Sequence, residues 1–155
     1  MTYYQETAPG YEELHREEQL SKLRIICDNL DLSGTKKILD VGCGPLWSAE
    51  FFEAIVGIDP VFTGKNVIHA WAEKIPFPDN SFDIILCITA IHHFQLKQAI
   101  SEMQRVATNE ALFVVTVLKK SPKSEFIEQT LQSAFDTQKV IEELHDRIYF
   151  LRKNK

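Results

Sequence analysis

The sequence predicts an α/β fold in which a doubly wound, seven-stranded sheet carries helices on both faces. Apolar runs of strand length alternate with amphipathic helical segments along most of the chain. One run, Phe82 to Ile88, is nearly continuous, as expected of a central parallel strand buried on both faces. The first strand, Lys37 to Val41, runs straight into Gly42-Cys43-Gly44, a turn whose missing side chains let backbone approach a ligand closely.

The elements follow in order. From Tyr11 a charged segment repeats Leu14, Leu20, Leu23, Ile26 and Cys27 at helical spacing, predicting an amphipathic helix that ends near Asp28. Asp31 to Gly34 supplies turn residues before the first strand. After the glycine turn there is room for a short helix, about Trp47 to Glu53, with Pro45 tolerated in its first turn. A strand over Ala54 to Ile58 comes next. Only Val61 to Asn66 then separates Asp59-Pro60 from a strand over Val67 to Trp71. Parallel strands normally need a dozen or more connecting residues, so one sheet face should be thinly covered here, and Trp71 is expected to fill the gap, the other reading being that it stacks on a bound base.

Ile75 to Asn80 is a proline-punctuated loop before the strand Phe82 to Ile88. Phe94 to Val106 reads as a helix with Ala99, Ile100, Met103 and Val106 inward. Thr108-Asn109-Glu110 is expected to turn into the strand Ala111 to Leu118, and Ser124 to Phe135 to form a further helix. The tail from Lys139 to Arg152 reads as two strands about a His145-Asp146 turn.

Composition narrows the function classes. With 155 residues, 45% hydrophobic and 25% charged, one globular domain is expected. A formal charge of -5 argues against broad non-specific nucleic-acid binding, although Lys119, Lys120 and Lys123 form a local basic group. Cys27, Cys43 and Cys87 are odd in number and far apart, which fits neither a disulfide framework nor zinc spacing and points to a reducing cytoplasm. No apolar run approaches a membrane span.

At the glycine turn, Trp47 stands where a dinucleotide site wants a third glycine, and Asp40 would repel phosphates. A carboxylate beside such a turn suits a ligand with a cationic amine. Asp59, closing the second strand, is placed to accept hydrogen bonds from ribose hydroxyls. His92 and His93 invite a catalytic reading, since imidazole can take a proton near neutral pH. The other reading is that the pair shapes a loop and helix start. No metal site is expected, because adjacent histidines diverge and no acidic or cysteine partner stands at ligand spacing.

Four stretches together, Ile38 to Gly44, Val56 to Asp59, Ala72 to Asp83 and Ile91 to Phe94, resemble the ordered motifs of class I S-adenosylmethionine-dependent methyltransferases, most closely the ubiquinone-biosynthesis type. The resemblance implies a Rossmann-like sheet with an antiparallel C-terminal edge hairpin and trimmed crossover helices. It divides the single domain into a lid and helix at 1–34 and a catalytic core at 35–155. It implies S-adenosylmethionine as cofactor, held by Tyr11, Asp40, Gly42, Cys43, Gly44, Asp59, Pro60, Ala72, Glu73 and Cys87, with His92 the catalytic candidate. Tyr3, Tyr4 and Tyr11 either close over the methionine end or dock the helix on the sheet.

The chain departs from the family where Trp71 replaces an aspartate that bonds the adenine amine, and where Gly44-Pro45-Leu46 replaces Gly-Thr-Gly. Ile88 to Phe94, followed by Ile100 to Val106, also resembles the corresponding segment of tRNA wobble-uridine methyltransferases, which work with a small zinc-binding activator protein. Three functions are therefore expected as rivals. They are an enzyme acting on tRNA or protein with such an activator, a non-catalytic subunit that keeps the fold, and a stand-alone small-molecule methyltransferase.

Overall fold

The structure is a computed structural model that describes residues 11–34 and 36–155. Tyr3, Tyr4 and the side chain of Tyr11 lie outside the described residues.

Helix α1 (Tyr11–Asp28) leads into a seven-stranded sheet built from β1 (Ile38–Val41), β2 (Ile55–Asp59), β3 (Val67–His69), β4 (Phe82–Cys87), β5 (Ala107–Leu118), β6 (Phe135–Glu142) and β7 (Asp146–Lys153). Helices α2 (Leu96–Val106) and α3 (Ser124–Ala134) flank β5 in sequence. The spatial order is β3-β2-β1-β4-β5-β7-β6. The first five strands in that order are parallel, and β7 and β6 complete the sheet antiparallel. The expected doubly wound sheet with an edge hairpin is therefore present.

Period-two alternation divides the core into two layers. Leu39, Val41, Ile85, Cys87, Phe113 and Val115 pack toward α2 and α3, whose Ala99, Ile100, Met103, Val106, Ile127 and Leu131 are all buried. Ile38, Ile84, Leu86, Val114, Ile148 and Phe150 face the other way, onto Leu20, Leu23 and Ile26 of α1. On that second face α1 lies across strands from both halves of the sheet.

Four local expectations are corrected. The helix predicted at Trp47 to Glu53 is a single 3-10 turn, Trp47–Glu50, entered from a left-handed Leu46 (φ 60°) and closed where the Phe51 amide donates back to the Ser48 carbonyl at 2.9 Å. No turn intervenes at Thr108 to Glu110. Ala107 pairs with Phe82 directly after α2, and a register shift absorbs the three polar residues into an extended β5. β6 begins four residues before Lys139, and the hairpin turn is Glu143 to His145, so Asp146 is a buried strand residue instead of a turn residue.

Trp71 does not fill the gap beside β3. It is 53% exposed and lies against His69, ring centroids 4.9 Å apart. The three-residue β3 ends at His69, and a bridge from Trp71 to Lys74 turns the indole outward. The crossover helix between β2 and β3 is absent as expected. Val61 and Ile68 are consequently exposed beside it.

Candidate functional site

Burial makes β1 and β2 rigid, and their carboxyl ends carry two acidic residues into a glycine turn. Gly42 and Gly44 both have positive φ, 71° and 55°, which glycine adopts without steric cost. At Gly42 the requirement is also spatial. A Cβ there would stand 2.6 Å from Ala90 Cβ and 3.0 Å from Phe94 Cζ, so the turn packs directly on the segment after β4. Cys43 turns its thiol toward Gly57, where a Cβ would lie 2.3 Å from its Sγ.

Asp59 organises this turn through its carboxylate. Oδ2 accepts the Gly44 amide at 2.9 Å, while Oδ1 accepts those of Val61 at 2.8 Å and Phe62 at 2.9 Å. One side chain thus ties the glycine turn to the loop after β2. Asp40 is buried, and its Oδ2 accepts the Ser48 hydroxyl at 2.5 Å. Burial pushes its carboxyl up to about 7; the Ser48 bond opposes this, and the neighbouring Asp59 charge adds to it. Among the described residues, no ion pair involves Asp40 or Asp59. A buried acidic pair that the protein leaves without a cation is chemically matched to a cationic ligand.

The remaining candidates surround this centre. Cys87 closes β4, fully buried, and desolvation pushes both its thiol and that of Cys43 well above the ordinary range. Neither is a nucleophile at neutral pH. Pro60 and Val61 are exposed beside Asp59. Ala72 is buried, and Glu73 accepts the amide of Gln95, the residue before α2, at 2.7 Å, which ties this loop to the start of the helix. The loop that carries Ala72 and Glu73 is pinned further along, where Glu102 accepts the Ile75 amide and Arg105 donates to the carbonyls of Ile75 and Phe77.

His92 faces β5. Its Nε2 accepts the Leu118 amide at 2.9 Å, so the neutral ring carries its proton on Nδ1, which is buried without a hydrogen-bond partner among the described residues. Desolvation lowers its pKa, which keeps the ring neutral near pH 7. To act as a base from Nε2 it would first have to release the Leu118 amide.

Several polar residues around the site escaped the sequence reading. Ser48 reaches Asp40 only because the 3-10 turn folds back on β1. Gln19 and Lys22 are buried on α1 although Leu14, assigned to its apolar face, is 60% exposed. Asp146 is buried with them, and no pattern in the sequence marks it as a partner of Lys22. A groove of about 430 Å³ between α2 and α3, lined by Ile100, Gln104, Phe126 and Ala134 among others, contains none of the candidate site residues.

Known proteins share this fold and part of this sequence. A family model described as a methyltransferase domain matches residues 39–115. An uncharacterised methyltransferase of Bacillus subtilis, YcgJ, is 26% identical over 127 residues, covering 66% of this chain and 50% of that protein. The chain spans about half the length of the curated relatives it matches. The PH0226 protein of Pyrococcus horikoshii superposes with a TM-score of 0.76 at 17% identity, over 99% of this chain and 100% of that one. A Burkholderia thailandensis 1,6-didemethyltoxoflavin-N1-methyltransferase, solved with S-adenosylhomocysteine, superposes with a TM-score of 0.68 at 15% identity, over 96% of this chain and 92% of that one.

Proposed function

The chain belongs to the class I S-adenosylmethionine-dependent methyltransferases, and from that premise we propose that it binds S-adenosylmethionine across the carboxyl ends of β1, β2 and β4 and catalyses methyl transfer. The observation that carries the reading is the buried pair Asp40 and Asp59, which lacks a protein cation and flanks a glycine turn. Asp40 would meet the cationic amine. Asp59, with one lone pair beyond its three backbone donors, would take a ribose hydroxyl. Gly42 and Gly44 admit the methionine portion, and Pro60 and Val61 offer apolar surface to the adenine. The cofactor brings an already activated methyl, so the chain's tasks are to align donor and acceptor and to exclude water.

His92 fits a positioning role better than a proton-transfer role. Its Nε2 is committed to β5, leaving Nδ1–H as a donor. The acceptor class stays among tRNA, protein and small molecule. The open edge of β3, with Val61, Ile68 and Trp71 exposed beside it, supports a partner-dependent enzyme, and the zinc-binding activator is its candidate. Co-expression that fails to recover a complex would remove that candidate. Three free, separated cysteines favour a reducing, cytoplasmic setting, and among the described residues no helix is long and apolar enough to cross a membrane.

Titration calorimetry with S-adenosylmethionine tests the central reading. Wild-type protein is expected to bind, and Asp59→Ala to lose at least about tenfold in affinity, the scale of one charge-assisted hydrogen bond. Absence of binding by folded wild-type protein would favour the non-catalytic subunit instead.

A further inference from the structure

A second polar centre lies buried beside the cofactor face, and the proposed chemistry does not use it. Lys22 of α1 is 2% exposed, and its ammonium stands 3.0 Å from Oδ1 of the fully buried Asp146, off the hydrogen-bond direction. The same ammonium donates to Thr89 Oγ1 at 3.0 Å, and Gln19 Nε2 approaches that oxygen at 3.3 Å. Thr89 in turn donates its amide to Thr116 Oγ1 at 2.7 Å. The Thr89 hydroxyl also donates to Asp146 Oδ2 at 3.4 Å, so three elements, α1, β5 and β7, converge on this threonine just beyond β4.

Thr89 is conformationally unusual. Its φ is 53°, in the left-handed region that a β-branched residue adopts only when its surroundings impose it. The next residue, Ala90, is the one whose methyl fills the space that a Cβ on Gly42 would need. The backbone angle at Thr89 therefore sets how the segment after β4 meets the glycine turn. A buried ion pair is a poor way to stabilise a helix against a sheet, because desolvation offsets its attraction and an apolar pair of similar size does as well or better. What an apolar pair cannot do is hydrogen-bond the Thr89 hydroxyl.

We propose that Lys22, oriented by Asp146, is a positioning residue for the cofactor site, holding Thr89 left-handed and so keeping Ala90 seated against Gly42. This rests on the reading of the glycine turn as the cofactor site. On that reading the cofactor meets the turn itself, while Lys22 acts on it only through Thr89 and Ala90.

The experiment replaces the ion pair by apolar residues, Lys22→Met with Asp146→Leu, and adds Thr89→Gly, since glycine takes a positive φ without support. Melting temperature, calorimetric affinity for S-adenosylmethionine and the Gly42 amide resonance are read on each variant. The double variant is expected to melt close to wild type yet bind about tenfold more weakly, with the Gly42 resonance shifted. Thr89→Gly in the same chain is expected to recover most of the affinity. Wild-type affinity and an unmoved Gly42 resonance in the double variant would overturn the proposal, as would a loss that Thr89→Gly leaves untouched. If the double variant does not fold, Lys22→Met is compared in wild-type and Thr89→Gly backgrounds, and an equal loss of affinity in both overturns it. Wild-type protein that does not bind at all defeats the cofactor reading itself, and this inference with it.

Discussion

Asp40 and Asp59 lie on adjacent strands, yet their surroundings assign them opposite tasks. Asp59 receives three backbone amides and fixes the turn, whereas Asp40 has a single hydroxyl donor and pays most of its desolvation unrelieved. A carboxyl whose folded pKa is raised to about 7 favours folding at low pH, and that contribution is lost as pH rises toward and through 7. Asp40→Asn removes the ionisation. It is expected to stabilise the protein at pH 8 by on the order of 2 kcal/mol, with the difference shrinking toward pH 4, while weakening cofactor binding. Chemical denaturation at the two pH values, paired with calorimetry, checks both halves. A variant destabilised at pH 8 would mean that Asp40 is retained for stability and not for its ligand.

At the scale of elements, the loop from Ile75 to Asp79 has no regular structure of its own and is held from α2. Arg105 donates to the carbonyls of Ile75 and Phe77 and to the carboxylates of Asp79 and Glu102, and Glu102 accepts the Ile75 amide. Five donors in a planar fork make this possible. Arg105→Ala is expected to cost about 1–2 kcal/mol by leaving two carbonyls to water, and Arg105→Lys to recover little of it, since an ammonium cannot span the same acceptors. Urea denaturation measures both. Full recovery by lysine would show that charge alone holds the loop. The 3-10 turn after Gly44 makes a related point, since it brings Ser48 onto Asp40 where a longer helix would carry that residue elsewhere.

Across the whole molecule, stability is distributed unevenly. β1 and β4 are flanked on both edges and buried on both faces, whereas β3 has three residues, one neighbour and a largely exposed surface, and β6 is exposed along most of its length. Backbone amides of β3 are expected to exchange with solvent fastest among the parallel strands and those of β4 slowest, as hydrogen exchange followed by NMR will report. Protection of β3 equal to that of β4 would mean that its edge is covered in solution.

Much of this architecture was legible in the chain itself. The apolar run Phe82 to Ile88, the spacing of Ala99, Ile100, Met103 and Val106, and the glycine turn between two acids each follow from local periodicity and backbone freedom, which sequence carries directly. The short link between β2 and β3 was legible for the same reason, since chain length alone forbids a crossover helix. What only the tertiary structure decided are the contacts between residues distant in sequence. Lys22 and Asp146 are 3.0 Å apart across 124 positions, and neither leaves a periodic trace. Trp71 faces outward because β3 ends two residues earlier, and Gly42 is required by Ala90 as much as by any ligand. Local sequence fixes which backbone states are cheap. Long-range packing selects which polar groups meet, because their pairing energies exist only once water has been excluded around them.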